Sequence, residues 1–344
     1  LPIILALFLA FSALAAGVFA LTRFVLNRQP ISSASASSST AKTTSEDPAQ
    51  PISSPASGTL AQAAYIAAGY DYDRAIALIK EDSSLAEDPA ALEAITSYEE
   101  AKASLLPADV QNVPHVFFHS LIMDTAKAFD GDSRTPGYNS VMTTKDEFLK
   151  MLDAFYEDGY VLVRIRDIAS ETTDENGNTV FSWGEILLPE GKKPLVMSQD
   201  DVCYYPYMEK DGFARRIVIG EDGKPTAEMV MEDGSISTGP YDLIPILEDF
   251  IEEHPDFSYK GARAIIAFTG YEGILGYRTA ASYSDSPNYE QDREQAAKVA
   301  QCLKDNGWEL ASHSWGHLWM GVSSVPGETF KISDERFYTD TDKW

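Results

Sequence analysis

The chain has 344 residues, of which 44 % are hydrophobic and 23 % are charged, a composition typical of globular proteins with a sizeable core. Its length favours about two domains. The 53 acidic residues outnumber the 27 basic ones and give a formal net charge of −26, which argues against nucleic-acid binding and against docking on anionic lipid through a basic face. Only two cysteines occur, too few for a disulfide framework, although a single bridge between Cys203 and Cys302 is compatible with the sequence.

The first twenty residues carry no charge and are almost wholly apolar. A helix of that length, rising about 1.5 Å per residue, spans the ~30 Å hydrocarbon core of a bilayer. A cleavable signal peptide is the alternative, with Val18-Phe19-Ala20 as its cleavage site, but the apolar run exceeds the usual ~7–15 residues. We therefore interpret residues 1–29 as a membrane anchor or signal segment, and we favour the uncleaved anchor. Because the chain starts with Leu1 rather than Met, we expect its N-terminus to be cut.

Residues 30–58 are dominated by Ser, Ala, Thr and Pro. Such a segment cannot bury enough apolar surface to fold, so it is predicted to be a disordered linker. Residues 59–107 are rich in alanine, and their apolar side chains recur at helical spacing, which predicts two or three short helices. They loosely resemble one unit of a helical repeat, but one unit is not an array. We interpret them as a helical stalk or lid packed on the next domain.

From residue 113 onward, predicted strands alternate with predicted helices. The strands are the apolar segments His115–Leu121, Tyr160–Ile165, Pro194–Ser198, Arg263–Phe268 and Glu309–Ser312. The helices are one capped by Thr144 with Gly159 just past its end, one over Asp242–Glu253 and one over Gln291–Asn306. Asn176-Gly177 and Asp222-Gly223 predict two hairpins. The alternation predicts an α/β fold with a mostly parallel sheet or barrel, decorated by the hairpins.

Two polar clusters directly follow apolar strands. Asp200-Asp201 comes after the third predicted strand, and His313-Ser314-Trp315-Gly316-His317 comes after the last. In parallel α/β folds, active sites are built at the carboxyl ends of the strands. Two histidines four residues apart can bind one cation, and zinc commonly takes imidazole and carboxylate ligands while leaving a position for water. One aspartate of the pair can then be a ligand and the other a base.

Each cluster also has a simpler interpretation. Asp200-Asp201 can cap a strand, and the two histidines can be hydrogen-bonded loop residues. Together the clusters favour a metal site, because their residue types complete one ligand set and two of the five histidines fall here. His115 and His119 are spaced unsuitably for one ion and are interpreted as core or rim residues, with His119 a candidate for lining the pocket. Trp315 can stack on a sugar ring or pack in the core.

The segments KPLVMSQDDV and WELASHSWGH resemble the first two motifs of polysaccharide deacetylases, carbohydrate esterase family four, whose domain is the NodB-homology domain. Those motifs are usually Thr-Phe-Asp-Asp-Gly and His-Ser/Thr-x-x-His. The resemblance runs from about His115 to the C-terminus and implies a distorted (β/α) barrel over residues 113–344. Residue by residue, it implies that Asp200 is the general base. It also implies that one divalent metal ion, most readily zinc, is held by three ligands: Asp201, His313 and His317.

The chain departs from the family pattern in several places. Ser198-Gln199 replaces Thr-Phe and Val202 replaces the usual Gly, which affects substrate fit more than chemistry. The later motifs of the family, including the final Leu-x-His that supplies the general acid, have no counterpart in the family order. We therefore expect the chain to be a fragment whose catalytic domain is incomplete at its C-terminus, with the general acid beyond Trp344.

These observations favour a single-pass cell-membrane protein whose extracytoplasmic domain removes acetyl groups from a cell-envelope or extracellular polysaccharide. A metal-dependent amidase or imidase acting on a smaller carbon–nitrogen substrate is the enzymatic alternative. A carbohydrate-binding or scaffold module that has lost catalysis is the alternative from another class, and the altered Ser198-Gln199 keeps it open. Retention of all four polar site residues argues against it, because a binding module does not need a base beside a metal.

Overall fold

The computed structural model describes residues 58–319 and 332–344. The predicted anchor over residues 1–29 lies outside the described residues, as does all of the predicted 30–58 linker except Gly58. Among the helices of the described ranges, none is long and apolar enough to cross a membrane. The described part is a mixed α/β structure with a parallel sheet, which confirms the predicted fold class at that level.

The elements follow one another in an irregular alternation of strands and helices. The helices are α1 (Thr59–Ala68), α2 (Tyr72–Glu81), α3 (Pro89–Ala103), α4 (Thr125–Ala128), α5 (Thr135–Val141), α6 (Lys145–Glu157), α7 (Ile165–Ile168), α8 (Leu243–Glu253), α9 (Tyr289–Asp305) and α10 (Asp334–Thr341). The strands are β1 (Leu106–Pro107), β2 (His115–Phe118), β3 (Tyr160–Leu162), β4 (Ala169–Thr173), β5 (Thr179–Trp183), β6 (Leu187–Leu188), β7 (Lys193–Gln199), β8 (Arg216–Ile219), β9 (Pro225–Val230), β10 (Ile236–Gly239), β11 (Ile265–Phe268) and β12 (Glu309–Ser312).

Helices α1 to α3 form the predicted helical region and share a small core of their own. Its buried members are mostly alanine and isoleucine, which lets short helices approach closely: Ala63, Ile66, Ala75, Ile79 and Ala91. The region packs on the following domain through polar contacts as well. The hydroxyl of Tyr70 donates to the carbonyl of Asp256 over 2.9 Å, and the amide of Lys260 donates to the carbonyl of Gly69 over 2.7 Å.

Five strands form the parallel sheet in the order β12–β11–β7–β2, with β3 paired to the first half of β7. His115 pairs with Val196, while Ile265 pairs with both Ser198 and Glu309, so the carboxyl ends of four strands lie along one edge. The pairing of the described strands does not close into a ring. The parallel sheet is therefore shown, and a barrel is not.

Strand β7 is the centre of the main core. From Pro194 to Gln199 every residue of it is buried, as expected for a central strand covered on both faces. Helix α6 contributes the fully buried Phe148 and Leu152 to the same core, with the Phe148 ring against Phe118 of β2. Burial of one such side chain contributes roughly 1.5–3 kcal/mol. The helix begins at Thr144, whose side chain and that of Glu147 form the reciprocal capping box.

The predicted hairpins are both present, but three strands are shorter than predicted. β4 and β5 pair around Asn176-Gly177, and β8 and β9 pair around Asp222-Gly223, with β10 as a third strand that the sequence did not predict. The strand predicted over Tyr160–Ile165 ends at Leu162, because β3 pairs only with the first three residues of β7. The strand predicted over His115–Leu121 ends at Phe118. The strand predicted over Arg263–Phe268 begins at Ile265.

Candidate metal centre

One polar residue directly follows each of four neighbouring strands: His119 after β2, Asp200 after β7, Thr269 after β11 and His313 after β12. Backbone hydrogen bonds continue the sheet register at this edge. The amide of Asp200 donates to the carbonyl of Phe118 over 2.7 Å, and the amide of His313 donates to the carbonyl of Phe268 over 2.7 Å. The sheet thus brings side chains from distant parts of the sequence to one place.

Asp201, His313 and His317 form the group of described residues that could hold a metal ion. Their candidate ligand atoms all lie within 4.8 Å of one another. His317 Nε2 is 3.4 Å from Asp201 Oδ2, and His313 Nε2 is 4.0 Å from Asp201 Oδ1. Tetrahedral zinc with bonds of ~2 Å places two ligand atoms ~3.3 Å apart, so the spacing and the donor types suit zinc. The grouping predicted from the sequence is present.

A backbone bend allows the adjacent aspartates to have different environments. Asp201 has a φ of 59°, in the left-handed region, just beyond the end of β7. The amide of Cys203 donates to the carbonyl of Asp201 over 2.7 Å and closes the turn. Left-handed non-glycine residues cost on the order of 1–3 kcal/mol and concentrate at functional sites. The bend is what frees Asp201 from the alternation of the strand.

The Asp201 carboxylate has two further neighbours. The hydroxyl of Thr269 donates to Oδ1, and His119 Nε2 lies 3.9 Å from Oδ2. A hydrogen bond to a ligating carboxylate orients it for the metal. His119 therefore lies beside the centre, and so does Thr269, which the sequence analysis did not single out. The side chain of His317 is 53 % exposed, so the group is reachable from solvent.

Asp200 is held by a different set of residues. Ser198 Oγ donates to Asp200 Oδ1 over 3.1 Å, and His115 Nε2 lies 3.0 Å from Ser198 Oγ. The Ser198 side chain is buried, so this hydroxyl has few competing partners. The sequence interpretation of His115 as a core or rim residue missed this contact, because it depends on the register of β2 against β7. Asp200 lies outside the three-residue ligand group and next to it in sequence.

Gln199 belongs to a buried polar network. Its Nε2 donates to Asp242 Oδ2 over 2.9 Å, and the hydroxyl of Tyr204 donates to the same oxygen. Burial raises the pKa of the Asp242 carboxyl above its ordinary value, and burial raises the pKa of Tyr204 well above its own. These hydrogen bonds therefore attach the end of β7, through Gln199, and the turn after Asp201, through Tyr204, to Asp242.

Trp315 has a packing role. Its carbonyl accepts hydrogen bonds from the amides of Gly270 and Tyr271 over 3.0 and 2.9 Å, and its ring lies against Gly270. The ring also lines a cavity of about 700 Å³ together with Tyr289 and Trp344. Trp315 therefore packs against neighbouring backbone and also borders a cavity.

The cysteines are free thiols in the described structure, so no bridge joins Cys203 and Cys302. Burial raises the pKa of the Cys203 thiol to about 12. A thiol with such a pKa is a weak nucleophile near neutral pH. Cys203 is therefore a buried side chain of low reactivity.

Comparison of the chain with protein-family models, with curated proteins and with solved structures finds no match. The interpretation of the site therefore depends on its own geometry and on the two sequence motifs.

Proposed function

We propose that this chain is a metal-dependent hydrolase that removes acetyl groups from a cell-envelope or extracellular polysaccharide. The observation that carries the proposal is the convergence of Asp201, His313 and His317 at the carboxyl edge of the sheet, with the carboxylate of Asp200 following the same strand. A distorted barrel of the NodB-homology type belongs to the proposal as its finer architectural part. The parallel sheet and the motif order support it.

The roles of the residues follow from their contacts. A zinc ion, when bound, supplies polarisation of the acetyl carbonyl and a lower pKa for a bound water. Asp201, His313 and His317 would hold the ion, with Thr269 orienting the carboxylate of Asp201. Asp200 would accept the proton of the attacking water, its Oδ1 fixed by Ser198. Addition of water across the carbon–nitrogen bond releases acetate and leaves a free amine on the sugar.

The substrate class depends on the resemblance and on the surroundings of the centre. His119 beside Asp201 and the ring of Trp315 at the neighbouring cavity are the groups that we propose to contact the glycan. An aromatic face suits the apolar face of a sugar ring. A surface with a net charge of −26 suits a neutral or cationic polymer better than a polyanion.

The test is acetate release by the purified protein loaded with Zn²⁺, with N-acetylglucosamine hexamer as the first substrate. Asp200→Asn should keep the metal and lose about 10²–10⁴-fold in turnover, as expected for loss of a general base. Asp153→Asn, an exposed aspartate on α6, is the matched control and should behave as the parent. Acetate release by Asp200→Asn at the parental rate would contradict the role of Asp200. Cleavage of small amides alone would favour the amidase, and sugar binding without cleavage would favour the binding module.

We also propose that residues 1–29 tether the protein to the cell membrane with residues 113–344 outside the cytoplasm. The support is the uncharged apolar run and the Ser/Thr/Pro-rich segment after it. Fractionation of cells should recover the intact chain with membranes, and protease added to intact spheroplasts should degrade the domain. Recovery of the intact chain from the soluble cytoplasm would contradict this proposal.

A further inference from the structure

The loop that carries both histidine ligands has an unfavourable backbone. Between the end of β12 and Leu318, both Ser314 and His317 have left-handed conformations, with φ of 63° and 50°. Each such residue costs on the order of 1–3 kcal/mol and persists only where surrounding contacts hold it. One of those contacts is internal, because the amide of Leu318 donates to Ser314 Oγ over 2.6 Å. Other contacts come from outside the loop.

The strongest external contact is made by Asp340 on helix α10. Its Oδ1 accepts from the amide of Trp315 and its Oδ2 accepts from the amide of Gly316, both over 2.7 Å. Asp340 is only 6 % exposed. Hydrogen bonds to an ionised acceptor are short and roughly twice as strong as neutral ones. The two amides lie between His313 and His317 in the sequence, so the Asp340 carboxylate binds the middle of the loop.

The close approach of this carboxylate depends on the glycine in the loop. A Cβ atom added to Gly316 would lie 2.9 Å from Asp340 Oδ2, closer than carbon and oxygen normally come. A glycine at position 316 therefore lets the Asp340 carboxylate approach the loop backbone this closely. Lys343 adds a second contact from the same segment, since its Nζ lies 4.1 Å from the centre of the Trp315 ring.

The other side of the loop is tied to the aspartate ligand. The carbonyl of Trp315 accepts from the amides of Gly270 and Tyr271, which directly follow Thr269. Thr269 in turn donates its hydroxyl to Asp201. Hydrogen bonds, together with the backbone of Trp315 and of Thr269–Gly270, therefore connect Asp340 through the histidine loop to the carboxylate that completes the ligand group.

We propose that Asp340 is a positioning residue of the metal centre and that docking of α10 is thermodynamically linked to metal binding. Through the amides of Trp315 and Gly316 it holds His313 and His317 at the spacing that one ion needs. Linkage is reciprocal, so an ion that binds the ordered loop must also stabilise the docking of α10. This inference rests on the metal centre of the proposed function, but it needs neither a substrate nor turnover for its test.

The first experiment measures the dissociation constant of Zn²⁺ by competition with a chromogenic chelator. Asp340→Ala should weaken binding about 10–100-fold, the usual effect of losing a group that orients metal ligands. Asp340→Asn keeps the shape but loses the charge and one acceptor, so its loss should be smaller. Asp342→Ala, an exposed aspartate at the end of the same helix, is the matched control and should bind as the parent does.

A double-mutant cycle separates positioning from a general loss of folding. If Asp340 acts through the histidine loop, its substitution should have little further effect once His317 is gone. The dissociation constant of Zn²⁺ for the Asp340→Ala/His317→Ala double variant should then be less than threefold that of His317→Ala alone. Hydrogen exchange gives the reciprocal measurement. Zn²⁺ should slow exchange of the α10 amides in the parent and should leave them unchanged in His317→Ala. If Asp340→Ala does not fold, Gly316→Ala is the substitute, because it perturbs the same contact from the loop side. It should lower the Zn²⁺ affinity in the same way.

The two levels of the proposal fail differently. The metal centre itself would be overturned if the parent protein bound no Zn²⁺. It would also be overturned if the His313→Ala variant bound Zn²⁺ with the same affinity as the parent. A parent that loses Zn²⁺ in His313→Ala but keeps parental affinity in folded Asp340→Ala and Gly316→Ala would overturn only the role of Asp340. If Zn²⁺ did not change the hydrogen-exchange rates of the α10 amides in the parent, the proposed linkage would be overturned.

Discussion

At the scale of single residues, Ser198 links two side chains that come from different strands. Its hydroxyl donates to Asp200 Oδ1, and His115 Nε2 lies within hydrogen-bonding distance of the same oxygen atom. A serine hydroxyl has one proton, so His115 must be the donor in its contact when Ser198 donates to Asp200. His115 then donates to Ser198, and Ser198 donates to the carboxylate of Asp200. We therefore interpret Ser198 as the residue that fixes the orientation of Asp200.

Replacing Ser198 with Ala should lower turnover on the acetylated hexamer about tenfold, with Zn²⁺ affinity unchanged. A hydrogen bond to a charged group is worth roughly 1.5 kcal/mol, and that energy corresponds to about tenfold in rate. Ser198→Thr keeps the hydroxyl and should retain most of the activity. The measurement is kcat for acetate release at saturating Zn²⁺. Parental kcat in the Ala variant would show that Asp200 is oriented by other contacts.

The predicted general base and metal ligands lie in two polar clusters, each of which follows an apolar strand. That signal identified Asp200 and His313, and applied to the strand before Thr269 it would also have found that hydroxyl. Asp340 has no such signal, because its partners lie 24 and 25 residues earlier and no local pattern marks the contact. The contact of His115 depends on strand register, which the hydrophobic pattern of a fully buried strand leaves unspecified.

At the scale of elements, Asp242 joins four segments at one buried carboxylate. Its Oδ1 accepts from the amides of Leu121 and Leu243 over 2.9 and 2.8 Å, which ties the segment after β2 to the start of α8. Its Oδ2 accepts from Gln199 at the end of β7 and from Tyr204 in the following turn. The site edge of the sheet is therefore fastened to a helix by one side chain.

Asp242→Ala should destabilise the domain by about 3 kcal/mol or more, because several buried donors lose their acceptor together. Asp242→Asn should cost less. Gln199 Oε1 has no hydrogen-bond partner within the described ranges, so the amide of Gln199 can turn over and accept from the new side-chain NH₂. Urea unfolding of both variants provides the comparison. Equal losses for Ala and Asn would mean that the buried charge, rather than the number of acceptors, holds these elements.

Helix ends were predicted more accurately than strand ends, and the reason is local. The helix after Thr144 begins at the predicted residue because capping depends on side chains within one turn of it. β3 stops after three residues although its partner β7 continues to Gln199, and the extent of pairing between two strands is a non-local property. β10 was missed although Asp233-Gly234 precedes it, because its exposed residues lack a strong apolar pattern.

At the scale of the whole molecule, the alternation of strands and helices predicted a parallel α/β sheet, and the structure confirms that much. The order β12–β11–β7–β2 could not be predicted, because alternation specifies strand direction and leaves neighbour choice open. That order positions the candidate metal centre. It places β7 and β12, whose ends carry the candidate metal ligands, on either side of β11, and Thr269 at the end of β11 lies between them.

Zn²⁺ should therefore stabilise the whole domain, because its ligands come together only when distant strands are assembled. Asp201 is separated from His313 by more than a hundred residues of chain, so unfolding must disperse the ligand group. At a free Zn²⁺ concentration one hundred times the dissociation constant, the free energy of unfolding should rise by about 2.7 kcal/mol. Urea unfolding with and without the ion measures the change, and excess chelator should reverse it. Mg²⁺, which prefers oxygen ligands, is the control ion and should have little effect. An equal gain in a variant lacking both His313 and His317 would mean that the ion stabilises the protein from somewhere else.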